Sequence, residues 1–529
     1  MKSYIQPFER RLAIEELRAL ACAQPQLCLP SDSSGTDFLI KTGLSQDALA
    51  SRLSYWERVI GPNGNHITTQ ALRESTVNVV RNGIDLGTLE RILPFKSDAI
   101  NLPNRRCLRY GTHGIHEYRG KFFPQLVRSL INISGTPRSG IVADPMSGSG
   151  TSVVEAVLAG HTGIGIDLNP LSVFLSRTKC ELLGAHPKEL RVAYENIRET
   201  LLKSNSKHGG SLRYFETLPE RDRHYLACWF AKDIIASLDE IAITIKSVKN
   251  QPARNLMWVS LSNILRKVSW QKDDDLRVRK DVRDDVEIDV KKDFLEELGR
   301  SVRAVLAFLY QNSIIVRPPY SIEEGDARRC ATIWSEYARN VDVVITSPPY
   351  ATALPYLDTD RLSLCYLGLL SRPQHRIRDQ VMIGNREVTE GLRRSYEDNY
   401  ASSRGLLPKS ICALIDRITE LNRGTSVGFR RRNLPALLAK YFLDMREVLI
   451  ETQSLLKPGG LAFVVVGNNH TIAGGERVEI STASLLSDVA RQLDFEVATP
   501  LAMEMLISRD IFKRNATASE EILAFRKPS

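Results

Sequence analysis

The sequence predicts an α/β protein built on a mostly parallel, doubly wound sheet with an antiparallel strand at one edge, preceded by a helical N-terminal region and interrupted by two insertions. Three observations carry that expectation. From about residue 105 onward, short apolar runs ending in Gly, Asp or Pro alternate with helical patterns, as the strands and crossover helices of a parallel sheet do. One run enters a glycine-rich turn that opens a helix, and the next ends in an aspartate. The composition of the 529 residues, 43% hydrophobic and 25% charged, allows large buried cores and excludes a disordered tail, a collagen or a coiled coil.

Taken in order, residues 1–104 read as helices: Glu15 to Ala23, Gln46 to Ile60 and Ala71 to Asn82 carry apolar residues at three- and four-residue spacing. Thr42 to Leu53 (TGLSQDALASRL) is faintly like the opening of a helix-turn-helix, but no second helix follows, so a packing helix is expected. The core is assigned to residues 105–180, 319–370 and 435–529. Its buried strands are Ile141 to Ala143, Gly163 to Ile166, Val341 to Ile345 and Leu461 to Val466, with helices at Gln125 to Ile133 and Thr151 to Ala159. Lys457-Pro458-Gly459-Gly460 reads as a tight turn into the fourth strand. Glu496 to Thr499 and Glu521 to Phe525 follow without a long helix between them, which points to an antiparallel pair at one edge.

Insertion 181–318 is helical in pattern and strongly charged around LRKVSWQKDDDLRVRKDVRDD, a run expected to be a solvated face. In insertion 371–434, Ser371 to Arg432 holds 13 Lys+Arg against 7 Asp+Glu, so +6 of the whole chain's +9 is local. With a pI near 9.0, that excess suits a polyanionic partner. The eight cysteines are scattered without a CxxC pair or a Cys/His cluster, so neither disulfides nor a metal site are expected. The longest apolar stretches fall far short of the roughly 18 residues a membrane helix needs. The start, MKSYIQPFERRLAIEEL, lacks the apolar stretch of a secretory signal, and a cytoplasmic protein is expected.

Asp144-Pro145-Met146-Ser147-Gly148-Ser149-Gly150-Thr151 follows a strand and opens a helix. Glycines there let a ligand approach the backbone, and the helix N-terminus offers free N–H groups. The next strand, Gly163 to Ile166, ends in Asp167, where a doubly wound fold uses a carboxylate to grip ribose hydroxyls. The loop lacks both the GK[ST] of a P-loop and the GxGxxG of a dinucleotide site, so a nucleoside without a pyrophosphate fits better. DPMSGSGT and GIDLNP resemble the corresponding motifs of S-adenosylmethionine-dependent DNA amino-methyltransferases. The resemblance implies a Rossmann-like class I methyltransferase sheet, S-adenosylmethionine as cofactor, and Asp144, Pro145, Ser147, Gly148, Gly150, Thr151, Asp167 and Leu168 among the cofactor contacts.

After Val341 to Ile345 comes Thr346-Ser347-Pro348-Pro349-Tyr350. Two prolines fix the backbone and leave carbonyls unspent on regular structure. An exocyclic amine of a nucleobase is a poor nucleophile because its lone pair is delocalised. A side-chain oxygen and a peptide carbonyl accepting its N–H bonds would draw it toward a tetrahedral nitrogen, and Ser347 with Pro348, braced by Pro349, can supply both. Tyr350 would stack on a base swung out of the duplex. The (S/T)PP(Y/F) form resembles enzymes that methylate cytosine N4, whereas adenine N6 enzymes more often carry Asp or Asn at the position of Ser347. Cytosine C5 chemistry needs a thiolate, usually in a Pro-Cys pair, and no cysteine here follows a proline.

The same resemblance extends to His116-Glu117-Tyr118-Arg119-Gly120-Lys121-Phe122-Phe123-Pro124, implying His116, Tyr118, Lys121 and Phe122 near the methionine part of the cofactor. It also extends to Gly325-Asp326-Ala327-Arg328, implying Asp326 and Ala327 near the adenine. It covers the core, not the N-terminal region or the insertions, either of which is a candidate for target recognition. Arg393, Arg394, Arg430, Arg431 and Arg432 are the candidate phosphate contacts. The expected activity is site-specific methylation of cytosine N4 in double-stranded DNA, with a cognate restriction endonuclease as a candidate partner. Adenine N6, guanosine N2 of RNA, and a binding-only subunit remain as alternatives.

Overall fold

A computed structural model describes residues 1–27, 36–81, 83–95, 100–118, 120, 122–204, 211–272, 280–282, 287–312, 319–351, 356–385, 388–423, 428–504 and 519–529. Its centre is an eight-stranded sheet of β1 (Ile141–Asp144), β2 (Thr162–Asp167), β3 (Tyr320–Glu324), β4 (Val341–Thr346), β5 (Leu456–Gly467), β6 (Glu496–Val497), β7 (Leu501–Glu504) and β8 (Ser519–Arg526). The order is β6-β8-β5-β4-β1-β2-β3, with β7 also pairing β8. β1 to β5 run parallel to one another. β8 runs antiparallel to β5 on one side and to β6 and β7 on the other. The antiparallel pair expected at one edge is β6 with β8, and β8 itself lies one strand in, because β6 and β7 cover its outer side. Strand β3 was not among the expected strands. It is short, half-polar and at the opposite edge, so its sequence lacks the apolar run of a strand buried on both faces.

Alternation along the strands sends side chains to two cores. Val142, Val343, Ile345, Phe463, Val465 and Ile522 face one apolar cluster, while Ala143, Val344, Ala462, Val464 and Leu523 face the other. The first cluster is closed by α1 (Pro124–Ile133), through Leu126, Leu130 and Ile131, and by the N-terminal helix Pro7–Ala21, through Phe8, Leu12 and Leu17. The N-terminal region thus covers a face of the sheet. Its polar seam is also buried. Glu16 accepts the Ser54 Oγ–H at 2.6 Å and the Asn132 Nδ2–H at 2.7 Å, and Lys2 pairs with Glu74 at 2.7 Å.

Two sequence expectations change here. The helix expected over Gln46 to Ile60 ends at Arg52, and Arg58–Gly61 instead forms a hairpin with Gly64–Ile67. The Gly61-Pro62-Asn63-Gly64 turn and the capture of Ser54 by Glu16 both oppose helix there. Lys457-Pro458-Gly459-Gly460 is not a turn before a strand but an irregularity within β5, where the register against β4 shifts between Val341 and Val343. The third helix spans Thr69–Val80; Asn82, its expected end, lies outside the described residues.

Insertion 181–318 folds as the helices Pro187–Lys203, Glu220–Ala227, Lys232–Ser247, Gln251–Leu265 and Val290–Asn312, which bury Leu238, Leu256, Phe294 and Leu306 in one cluster with α3 (Pro170–Leu182). Within its charged run, residues 273–279 and 283–286 lie outside the described residues. Among the described residues no helix is long and apolar enough to cross a membrane.

Candidate functional site

In a doubly wound sheet the ligand crevice lies beyond the carboxyl ends of the strands, where strand order reverses. Here that point lies between β1 and β4, and the two loops leaving those strands are Asp144 to Gly150 and Ser347 to Tyr350. Asp167 ends β2, and Asp326 follows β3. Four motifs separated by up to two hundred residues therefore meet at one end of the sheet. They line a cavity of about 360 Å³, within the range of ~300–1,000 Å³ usual for small-molecule sites.

The glycine-rich loop turns sharply into α2 (Thr151–Leu158). Gly148 and Gly150 both take the left-handed conformation, at φ +50° and +80°. A Cβ on Gly148 would stand 3.2 Å from the Tyr118 ring, so this aromatic wall needs glycine opposite it. The Asp167 carboxylate holds the loop, accepting the Gly148 N–H at 2.8 Å on Oδ2 and the Asn169 N–H at 2.8 Å on Oδ1. Burial pushes Asp167 up to about 6, against these two amides. Burial also lifts Asp144 to about 6, opposed by hydrogen bonds that include the Met146 N–H.

Asp326 is gripped by Arg328, whose Nε and Nη2 reach its two oxygens at 2.9 and 2.6 Å. Burial works against its charge, but the Arg328 bonds prevail and hold its carboxyl below the ordinary aspartate value. Arg328 also donates to Asp444 at 2.8 Å and to the Val381 carbonyl at 2.8 Å. On the far wall, Ser347 Oγ donates to the Val465 carbonyl at 3.1 Å, and the Tyr350 phenol donates to Glu520. Gly384 packs so closely that a Cβ there would lie 2.9 Å from Pro349, which pins the Ser-Pro-Pro-Tyr loop from outside.

Of the residues singled out from the sequence, the cavity gathers Tyr118, Phe122, Asp144, Pro145, Ser147, Gly148, Thr151, Asp167, Leu168, Asp326, Ala327 and Ser347 to Tyr350. His116 is not on this wall. It is buried with Nε2 3.1 Å from Ser262 Oγ, because the insertion helix Gln251–Leu265 packs over it. Gly150 also turns away from the cavity, toward Ser176, and serves the entry into α2. Lys121 lies outside the described residues.

The basic residues divide into two groups. Arg393 and Arg394 pair with Glu390 on their own helix, and Arg430 to Arg432 lie exposed in the first turn of the helix Phe429–Leu455. Sequence reasoning missed Phe123, Asn169, Val465 and Glu520. It also missed Val381, Met382 and Ile383, which follow or end α4 (Arg372–Val381) and strap the cavity from within the basic insertion. Arg378 latches this strap to the core through the Leu168 carbonyl at 2.7 Å and Glu324 at 2.6 Å. Asn169 and Phe123 carried a signal, as parts of GIDLNP and of the His116 to Pro124 motif.

The donor set fits an adenosyl sulfonium compound. The Asp167 carboxylate can accept from a diol, the Ser147 and Ser149 hydroxyls are buried without a hydrogen-bond partner among the described residues, and Tyr118, Phe122 and Phe123 offer aromatic surface to a cation. No family model matches the sequence. The Type II methyltransferase M.MvaI of Kocuria varians is 22% identical over 393 residues, covering 72% of this chain and 81% of the relative. The Type II methyltransferase M.BsoBI of Geobacillus stearothermophilus is 22% identical over 433 residues, covering 74% and 81%. Among solved structures, the rRNA methyltransferase aviRa from Streptomyces viridochromogenes aligns over 78% of this chain and 88% of its own, at 10% identity and a TM-score of 0.29, a likeness too slight to bear on function. In sequence the chain is a relative of the Type II methyltransferases, with a Rossmann-like methyltransferase sheet and S-adenosylmethionine as its methyl donor.

Proposed function

We propose that the chain is a site-specific DNA methyltransferase that places a methyl group on the exocyclic N4 of a cytosine swung out of the duplex. The observation that carries this reading is the Ser347 to Tyr350 loop standing in the wall of the same cavity as the glycine-rich loop and Asp167. The bound cofactor supplies an electrophilic methyl on a sulfonium. Because the Ser347 hydroxyl proton is committed to the Val465 carbonyl, its oxygen presents lone pairs to the incoming amine, so the serine is held as an acceptor. Together with the Pro348 carbonyl it draws the amine toward a tetrahedral nitrogen, while Tyr350 stacks on the base and Pro349 keeps the loop rigid. Asp167 receives the ribose hydroxyls and Asp326 lies toward the adenine. Orientation of the reacting atoms supplies most of the rate, without a covalent enzyme intermediate.

Similarity to Type II methyltransferases supports duplex DNA as substrate and a cognate restriction endonuclease as partner. Arg430 to Arg432 support phosphate contact, since they put three exposed cations into one turn of a helix. The test is nucleoside mass spectrometry on unmethylated genomic DNA after incubation with protein and S-adenosylmethionine, alongside Ser347→Ala and Asp167→Ala. N4-methylcytosine absent from both variants is the expected result. N6-methyladenine would correct the base, and no methylated DNA nucleoside would overturn the reading.

A further inference from the structure

Four carboxyl side chains reach the cavity, and three of them are engaged around the cofactor end: Asp144 with the Met146 amide, Asp167 with the Gly148 and Asn169 amides, and Asp326 with Arg328. Glu520 stands elsewhere. It lies on β8 opposite Gly467 of β5, and across 170 residues of sequence its carboxyl accepts the phenolic O–H of Tyr350. The neighbouring Val465 of β5 is the residue whose carbonyl takes the Ser347 hydroxyl. The β5–β8 ribbon thus holds both hydroxyl-bearing side chains of the Ser-Pro-Pro-Tyr loop.

We propose that Glu520 is a positioning residue for methyl transfer: by holding the Tyr350 phenol it fixes where the ring stands and favours one orientation of the face on which the target base stacks. The inference rests on the reading of Tyr350 as the stacking residue. An aromatic side chain in a cavity wall turns about two torsions; a hydrogen bond at the phenol oxygen arrests the first outright and biases the second, because the phenolic O–H that points at Glu520 prefers to lie in the plane of the ring. Glu520 is partly buried, so water competes weakly for the bond. Burial raises its pKa while the Tyr350 bond opposes that rise, as expected of an acceptor committed to this contact. A ring tilted by a fraction of an ångström misplaces the amine, and reaction rates are steep in such displacements.

The test is the single-turnover rate of methyl transfer to duplex DNA, with calorimetric binding of S-adenosylmethionine, for wild type, E520A, E520Q, Y350F and the E520A/Y350F pair. E520A and Y350F should each slow transfer by about ten- to hundredfold while cofactor affinity stays within about twofold. E520Q should remain within about threefold of wild type, because its amide oxygen still accepts the phenol. The double variant should be no slower than the slower single one, since both remove the same bond. E520Q as slow as E520A, multiplying losses in the pair, or cofactor binding that falls as far as the rate would each overturn the proposal. If E520A does not fold, E520Q and Y350F carry the test. A wild type that methylates no DNA overturns the functional reading and this inference with it, whereas an active wild type with any of the other failures overturns the inference alone.

Discussion

Lowering the pH should release the cofactor before it unfolds the protein. Asp167 is raised from its ordinary 3.8 to about 6 by burial, and in the role proposed for it only the ionised form would be the strong acceptor for two ribose hydroxyls. At pH 5 about a tenth of the free protein carries that charge, so the apparent affinity for S-adenosylmethionine should fall about tenfold between pH 7 and pH 5. Binding at pH 5 should also release close to a full proton. The stability effect has the opposite sense. Because the folded pKa values of Asp167 and Asp144 lie above their unfolded values, these groups stabilise the free fold at low pH, and that contribution is lost as pH rises through about 6. Lost binding at pH 5 is therefore distinguishable from unfolding, with circular dichroism as the control. Calorimetry from pH 5 to 7 in buffers of different ionisation enthalpy reads both affinity and proton release. Asp167→Asn should bind weakly at every pH. An affinity constant across the range, or a pH slope that survives in Asp167→Asn, would refute the argument.

Gly150→Ala should cost about 2–5 kcal/mol in urea unfolding, from the strain of φ +80° and a Cβ placed 2.6 Å from Ser176 Oγ. Glu16→Ala should lower stability by about 2–4 kcal/mol in the same assay, since it leaves the buried Ser54 amide and hydroxyl unpaired. Arg378→Ala should weaken S-adenosylmethionine binding by about five- to tenfold with little change in melting temperature, because it frees the Val381 to Ile383 strap from Leu168 and Glu324. Replacing Arg430, Arg431 and Arg432 with glutamine should weaken DNA binding and flatten the dependence of log K on log[salt], by up to about 0.9 in slope for each phosphate no longer neutralised. An unchanged slope would remove this helix end from the interface.

Much of the site was legible because each of its motifs is local. A glycine pair between a strand and a helix, an acid closing the next strand and a diproline after a third each state their own backbone geometry within eight residues or so. The parallel core was legible for the same reason, since β1, β2, β4 and β5 are apolar on both faces. Where local signals were weak or competing, the reading slipped. The stretch after Arg52 keeps a helical spacing of apolar residues but pairs as a hairpin, and β3 is too polar to announce itself.

The sequence by itself determined the apolar parallel strands β1, β2, β4 and β5, the glycine-rich loop and the polar groups of the Ser-Pro-Pro-Tyr turn, because these follow from torsion preferences and side-chain periodicity among near neighbours. Only the tertiary structure decided that the first helices seal a face of the sheet and that His116 is buried under an insertion helix. It also placed Val381 to Ile383 over the cavity and brought Glu520 to Tyr350. Those placements depend on strand order and on the register of β8 against β5, which arise from the simultaneous burial of surfaces far apart in the chain and leave no pattern in any short stretch of it.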